Sequence, residues 1–202
     1  MKTSHTLTMV CLLGAAVSFG SAQAGTDELV KNCETCHGAG GNGDDLKVPN
    51  IAGMSEVYLN DTMTAYKSGD RPAGSKYKPK DGEESDMAMV AKKLSEGDIE
   101  AVAAHFAGQT FRPHAQQVDA ALAAKGKAAF DEGCEKCHSE GGSVAADDAG
   151  VIAGQGKPYL EEQFKMYDDG LRPMPKKMKK KFEALSGDDK AAIIEFLAGG
   201  GK

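Results

Sequence analysis

The chain has 202 residues and a mass of 21.1 kDa, which suits one or two domains. It carries a formal charge of −6, with 41% hydrophobic residues and no tryptophan. This composition excludes a disordered or fibrous chain. The acidic balance also argues against nucleic acid as a general partner, because such binding needs Lys and Arg to neutralise phosphates.

The first 24 residues have the pattern of a cleavable export signal. Lys2 supplies the positive charge, an apolar run covers 9–19, and residues 22–24 (Ala-Gln-Ala) form a small-x-small cleavage site. The apolar run is too short to span a bilayer comfortably. We therefore expect a mature chain that begins at Gly25, is exported to the periplasm and has no integral membrane segment. An uncleaved anchor is the alternative.

A helix predicted over 26–37 ends on a cysteine motif. Cys33 and Cys36 are separated by two residues, and His37 follows at once. This is the attachment pattern of c-type haem. The two thiols add to the vinyl groups at one edge of the porphyrin, and the His reaches the iron. Because the pattern recurs later in the chain, the sequence predicts two covalently bound haem c groups, the second at Cys134, Cys137 and His138.

Cysteine pairs of this kind have three other interpretations. A zinc site can use two Cys pairs, but a His directly after each second Cys would then be a coincidence. A thioredoxin-like redox pair needs a βαβ context, which this sequence does not offer. Two local disulfides are the structural alternative in an exported chain.

The haem motifs belong to an internal repeat. Ile-Ala-Gly at 51–53 and Tyr-Leu at 58–59 recur at 152–154 and 159–160, with an offset of 101 residues. After Pro72 the offset falls to 91, because the first copy carries a polar, turn-rich surface loop at 73–86. The sequence thus predicts a signal peptide at 1–24, a first domain at 25–108, a linker at 109–117 and a second domain at 118–202.

Helical signals cover most of each copy. In the first copy, apolar residues at helical spacing predict a helix over 55–68, and a Ser-x-x-Asp pattern at 95–98 opens the last helix. In the second copy, one helix is predicted over 119–138, through the haem motif, and another over 158–168. The same cap pattern recurs at 186–189. The predicted fold class is all-α.

An electron carrier needs a sixth ligand on each haem iron, because a fixed six-coordinate iron reorganises little and keeps oxygen away. A thioether ligand also favours the reduced state. Met87 and Met178 are matched across the repeat, each seven residues before a Leu-Ser pair, whereas Met89 and Met174 are unmatched. Core packing is the alternative role for any Met. The predicted iron ligand pairs are His37 with Met87 and His138 with Met178.

A group of lysines surrounds Met178. If Met178 binds iron, this lysine collar lies near the exposed edge of the second haem and steers an acidic partner to it. A solvated helix face is the alternative. The collar consists of Lys176, Lys177, Lys179, Lys180 and Lys181.

The haem motifs, the Ile-Ala-Gly and Tyr-Leu stretches and the Met-x6-Leu-Ser spacing resemble the dihaem cytochromes of the cytochrome c4 type. The second half is also similar to the cytochrome subunit of flavocytochrome c sulfide dehydrogenase, in the stretches CEKCHSEGG, IAGQGKPYL and RPMPKKM. The resemblance implies two tandem class I cytochrome c domains related by a pseudo-two-fold axis, each around one covalent haem c with His/Met iron. It further implies redox-protein partners, including a flavoprotein sulfide dehydrogenase subunit.

The expected function is single-electron transfer in the periplasm, without catalysis by this chain alone. The chain would serve as the haem subunit of, or the acceptor for, a flavocytochrome c sulfide dehydrogenase. A free cytochrome c4-type carrier that delivers electrons to a terminal oxidase is the main alternative. A haem enzyme such as a peroxidase, which needs an open iron face, and a haem-based sensor are the others.

Overall fold

A computed structural model describes residues 20–80, 82–145 and 148–202, with side chains from residue 25 onward. The predicted signal peptide therefore lies outside the described residues up to position 19. The described ranges form helices joined by loops, and they contain a single isolated β-bridge and no strand. The helices of the first copy are α1 (Gly20–His37), α2 (Glu56–Ser68), α3 (Met87–Ala91) and α4 (Glu96–Ala107). Those of the second are α5 (Ala120–Gly133), α6 (Ser139–Gly142), α7 (Lys157–Asp168), α8 (Lys176–Phe182) and α9 (Gly187–Ala198).

The last helix of each copy begins with the predicted cap. The Ser95 hydroxyl accepts a hydrogen bond from the Asp98 backbone N–H at 3.1 Å, and the Asp98 carboxylate accepts one from the Ser95 N–H at 2.8 Å. Ser186 and Asp189 form the same capping box at the start of α9. Each box satisfies two N–H groups that a helix start leaves without partners, and a Ser cap of this kind contributes about 1 kcal/mol. Within the described ranges, none of the helices has the length and apolarity needed to cross a bilayer.

The helix predicted over 119–138 is wrong at its C-terminal end. Helix α5 ends at Gly133, and the chain from Cys134 to His138 forms tight turns instead. In the first copy, by contrast, α1 continues through the motif to His37. Gly133 stands where the first copy has Asn32, and glycine is the poorest helix former after proline. The two haem motifs are therefore presented on different local backbones.

Each copy has its own apolar core. The first core packs α1, α2 and α4 around Phe106, and the second packs α5, α7 and α9 around Phe130 and Phe196, whose ring centroids lie 5.3 Å apart. Val151, from the second copy, is buried within the first core. The two domains therefore share apolar surface at their interface.

The buried Gln155 side chain ties the domains together through two hydrogen bonds to the backbone of Asn50. The Asn50 N–H donates to Gln155 Oε1 at 2.9 Å, and Gln155 Nε2 donates back to the Asn50 carbonyl at 2.8 Å. Asn50 also donates from Nδ2 to the Arg112 carbonyl in the linker at 2.7 Å. Both side chains are almost completely buried. Because buried polar groups are costly to leave unpaired, these bonds fix the relative placement of the domains.

Helices α5 and α9 cross at a glycine, and this contact gives a test of the second core. A Cβ at Gly126 would lie 2.0 Å from the Ala192 carbonyl oxygen, so Gly126→Ala forces the two backbones apart. We expect the free energy of unfolding to fall by about 3 kcal/mol, the upper range for overpacking. Gly187→Ala at the start of α9 is the control, since its Cβ would meet no atom within 4 Å. Denaturant unfolding of the haem-loaded protein measures both, and equal stability of the two variants would contradict this packing.

Candidate haem-binding sites

A partly open cavity lies between α1, α2, α3 and α4. Its wall is mainly apolar, with side chains such as Ile51, Leu59, Val102 and Phe106. The four predicted site residues of the first copy all line it. The structure thus brings together Cys33, Cys36, His37 and Met87.

The surroundings of the His37 ring favour its neutral form, which is the form that binds a metal. Its Nδ1 lies 2.8 Å from the Pro49 carbonyl oxygen, so Nδ1 carries the proton and donates it. Burial lowers the pKa of His37, with the Pro49 hydrogen bond opposing, so the ring is neutral at pH 7. The lone pair on Nε2 is left available to a metal, and the carbonyl fixes the orientation of the ring, as at other histidine–metal sites.

The first cysteine of each haem motif is in low-polarity surroundings. Burial is the main factor that raises the pKa of the Cys33 thiol to about 11 and that of Cys134 to about 11. Both sulfurs are therefore uncharged at pH 7. A thioether is uncharged as well, so covalent attachment of haem at these positions buries no charge.

The Ile-Ala-Gly repeat has a structural explanation. In each copy the N–H groups of Ile and Ala both donate to one glycine carbonyl just after the haem motif, that of Gly41 at 2.9 and 3.2 Å and that of Gly142 at 3.0 and 3.0 Å. Both glycines have positive φ, and a Cβ at Gly41 would lie 2.8 Å from the Phe106 ring. The repeat thus folds the loop after each haem motif tightly onto its core.

The second copy places its predicted site residues on α8 and on the turns after α5. Met178 lies half-buried in α8, and Cys134, Cys137 and His138 follow the end of α5. Phe182 stands where the first copy has Ala91, and its ring centroid packs 5.4 Å from those of both Phe164 and Tyr167. In the first copy, the structure therefore brings four predicted site residues to one cavity. In the second copy, the corresponding helix is packed around the larger Phe182 side chain.

A buried arginine projects into the first cavity. The Arg71 guanidinium lies 4.7 Å from the centre of the Tyr66 ring, and its Nη2 donates to Gln163 Oε1 of the second domain at 3.3 Å. Arg172, its counterpart in the repeat, donates to the same Gln163 oxygen at 2.6 Å. The buried Arg71 Nε has no hydrogen-bond partner among the described residues.

The unpaired Nε–H of Arg71 bears on whether a haem fits this cavity. A haem carries two propionate carboxylates at one edge, and a buried guanidinium with a free N–H is a favourable partner for a carboxylate. The remaining wall supplies apolar surface, two thiols and a neutral imidazole. The residues present therefore fit a c-type haem, with Arg71 placed to hold a propionate.

Tyrosines from both domains complete this polar cluster. Tyr159 of the second domain lines the first cavity. Burial acts to raise the pKa of Tyr58, but the charges of Arg71 and Arg172 outweigh it and lower that pKa. Arg71 and Arg172 occupy matched positions in the two copies, each directly before a Pro. That match is the signal the sequence offers for these two residues, but it does not indicate that they meet at the domain interface.

Comparison with known proteins identifies the same architecture. The cytochrome c family model matches residues 22–108, and that of the cbb3-type cytochrome c oxidase subunit III family matches 121–197. Cytochrome c4 of Pseudomonas aeruginosa is 30% identical over 200 residues, which cover 93% of this chain and 92% of that protein. A thiosulfate dehydrogenase electron acceptor of Thiomonas intermedia is 28% identical, over 70% of this chain and 64% of its own length.

A solved structure shows the same fold. Reduced recombinant cytochrome c4 from Pseudomonas stutzeri superposes with a TM-score of 0.69 at 28% identity, over 89% of this chain and 98% of that one. The matches confirm the predicted all-α pair of class I cytochrome c domains and the two covalent haem c groups. The chain therefore belongs to the cytochrome c4 family of dihaem c-type cytochromes.

Proposed function

We propose that this protein is an exported, periplasmic one-electron carrier whose two haems have His/Met iron. Cys33 with Cys36 would hold the first haem, and His37 and Met87 would bind its iron. The corresponding residues of the second copy would be Cys134, Cys137, His138 and Met178. The convergence of the first four residues on one apolar cavity carries the proposal.

The chain's own groups favour electron transfer over catalysis. Each bound haem exchanges one electron at its iron. His37 is fixed by Pro49, and the apolar wall keeps water away from the ring, so little rearrangement accompanies a change of charge. Met87, on the same cavity, would close the remaining ligand position against oxygen or peroxide. We therefore infer that the chain has no catalytic activity alone and acts with a partner oxidoreductase.

The proposed electron donor is an enzyme that oxidises a reduced sulfur compound. The second half resembles the cytochrome subunit of a flavocytochrome c sulfide dehydrogenase, and the Thiomonas intermedia relative is described as an electron acceptor for thiosulfate dehydrogenase. The two candidate donors are distinguished by mixing the oxidised protein anaerobically with sulfide and the flavoprotein, or with thiosulfate and thiosulfate dehydrogenase. Haem reduction is followed in the visible spectrum. A flavoprotein partner is supported if sulfide and the flavoprotein reduce both haems. A free carrier that serves another donor is supported if neither enzyme does so.

The lysine collar on α8 is the proposed docking surface for an acidic partner. All five lysines are exposed, and the only ion pair they make in the described structure joins Lys179 to Glu183 at 3.6 Å. Charge reversal with Lys179→Glu and Lys180→Glu should slow electron exchange with an acidic partner about tenfold or more at low salt, because steering acts on the association rate. Lys92→Glu with Lys93→Glu, on exposed lysines of the first domain, is the matched control. Stopped-flow rates that are equal for both pairs at low ionic strength would refute the docking role.

A further inference from the structure

The loop that only the first copy possesses is continuous with helix α3. We call its described residues, 73–80 and 82–86, the strap. The N–H of Tyr77 donates to the Ser85 carbonyl at 2.8 Å and the Ser85 N–H donates back at 2.9 Å, which closes the loop on itself. Asp86 follows directly, and its Oδ1 accepts from the Met89 N–H at 2.8 Å as the cap of α3. Met87, the first residue of α3, is therefore attached to the closed end of the strap.

One end of the strap contacts the first domain. Tyr77 faces the Asp45 carboxylate, in the loop that follows the first haem motif. Burial raises the pKa of Tyr77, and the charge and hydrogen bond of Asp45 raise it further. The strap thus lies beside that loop.

The other end contacts the second domain. The Ser75 N–H donates to Glu162 Oε1 on α7 at 2.7 Å. Gly74 is packed so closely that a Cβ there would lie 2.6 Å from Glu162 Oε2. A half-buried carboxylate of the second domain therefore accepts a hydrogen bond from the strap backbone, and a side chain at position 74 would require this carboxylate to shift.

From these contacts we propose that the strap is an interdomain brace that holds Met87 at the first haem, with Glu162 as its positioning residue. The proposal rests on the iron-ligand role proposed for Met87. The second copy needs no equivalent, because only Met174 and Pro175 separate Pro173 from α8, and two prolines in this short connection already restrict the backbone. Domain docking and retention of the first sixth ligand are thus linked through one hydrogen bond to Glu162.

The test uses the haem-loaded protein with Glu162→Ala, which removes the acceptor, and Glu162→Gln, which keeps a carbonyl oxygen. Glu161→Ala, on an exposed neighbour in α7, is the control. Trypsin cleavage after the exposed Lys76 and Lys80 reports opening of the strap. Imidazole binding to the ferric protein reports release of Met87, measured with Met178→His present so that the second iron stays six-coordinate.

Glu162→Ala should raise both the cleavage rate and the apparent imidazole affinity about tenfold, the change expected from loss of one hydrogen bond to a charged group. Glu162→Gln should behave nearly as the parent does. Rates and affinities equal to those of the Glu161→Ala control would overturn the brace. Faster cleavage without tighter imidazole binding would overturn its action on Met87. Whether Met87 binds the iron at all is tested separately, by the visible spectrum of Met87→Ala.

Discussion

Replacing Met87 with Ala is expected to lower the reduction potential of the first haem on the order of 0.1–0.3 V, part of the ~0.8 V range that axial ligands set. A thioether stabilises ferrous iron, so its loss favours the oxidised state. The weak long-wavelength band of Met-ligated ferric haem should fall by about half, since one of two such irons loses its ligand. The open iron should also bind cyanide or imidazole rapidly.

Neighbouring methionines provide the control for this substitution. Met89 lies two residues away and is 43% exposed, so Met89→Ala should change neither the band nor either potential. Met178→Ala should affect the second haem in the same way as Met87→Ala affects the first. Potentiometric titration followed in the visible spectrum measures all three variants. A normal band and unchanged potentials in Met87→Ala would exclude Met87 as the ligand and direct attention to the other methionines of that cavity.

Arg71→Leu is expected to produce the largest loss of stability among the interface variants. Arg71 is only 7% exposed, and in the haem-loaded protein its guanidinium would neutralise a buried propionate. Removal of one partner from such a pair typically costs about 3–5 kcal/mol. The potential of the first haem should also fall, because a nearby positive charge favours the reduced iron.

Two further variants separate charge from geometry at this position. Arg71→Lys keeps the charge but loses the planar fork that reaches Thr62 and Gln163, so it should restore much of the potential and little of the stability. Arg172→Leu, at the less buried counterpart, should have the smaller effect on unfolding. Denaturant unfolding and potentiometry test both. Stability and potential that are unchanged in Arg71→Leu would show that Arg71 does not hold a propionate.

The sequence was sufficient for features that depend on local chemistry. The haem motifs and the Ser-x-x-Asp caps are short patterns whose meaning does not depend on the rest of the fold, whereas iron ligation by Met87 and Met178 stays a prediction. The boundary of α5 was missed because the repeat suggested equivalence, whereas the single change from Asn32 to Gly133 altered the helix end. The low helix propensity of this one glycine thus accounts for a helix end that the similarity between the two copies did not predict.

Features at the domain interface could not be predicted from the sequence. The sharing of Gln163 by Arg71 and Arg172 depends on how the two copies dock. The same is true of Tyr159 in the first cavity and of the contact between Ser75 and Glu162. The partners that meet across the interface, such as Arg71 with Gln163 and Ser75 with Glu162, are separated in sequence by 87 residues or more, and their pairing follows from docking rather than from any local pattern.

The most direct test of the central claim is the pyridine haemochrome assay on the exported protein, combined with the mass of the intact polypeptide. We predict two haems per chain, both retained after denaturation because both are thioether-linked through Cys33, Cys36, Cys134 and Cys137. Fewer than two haems per chain, or haem that is extracted by acid and organic solvent, would contradict it.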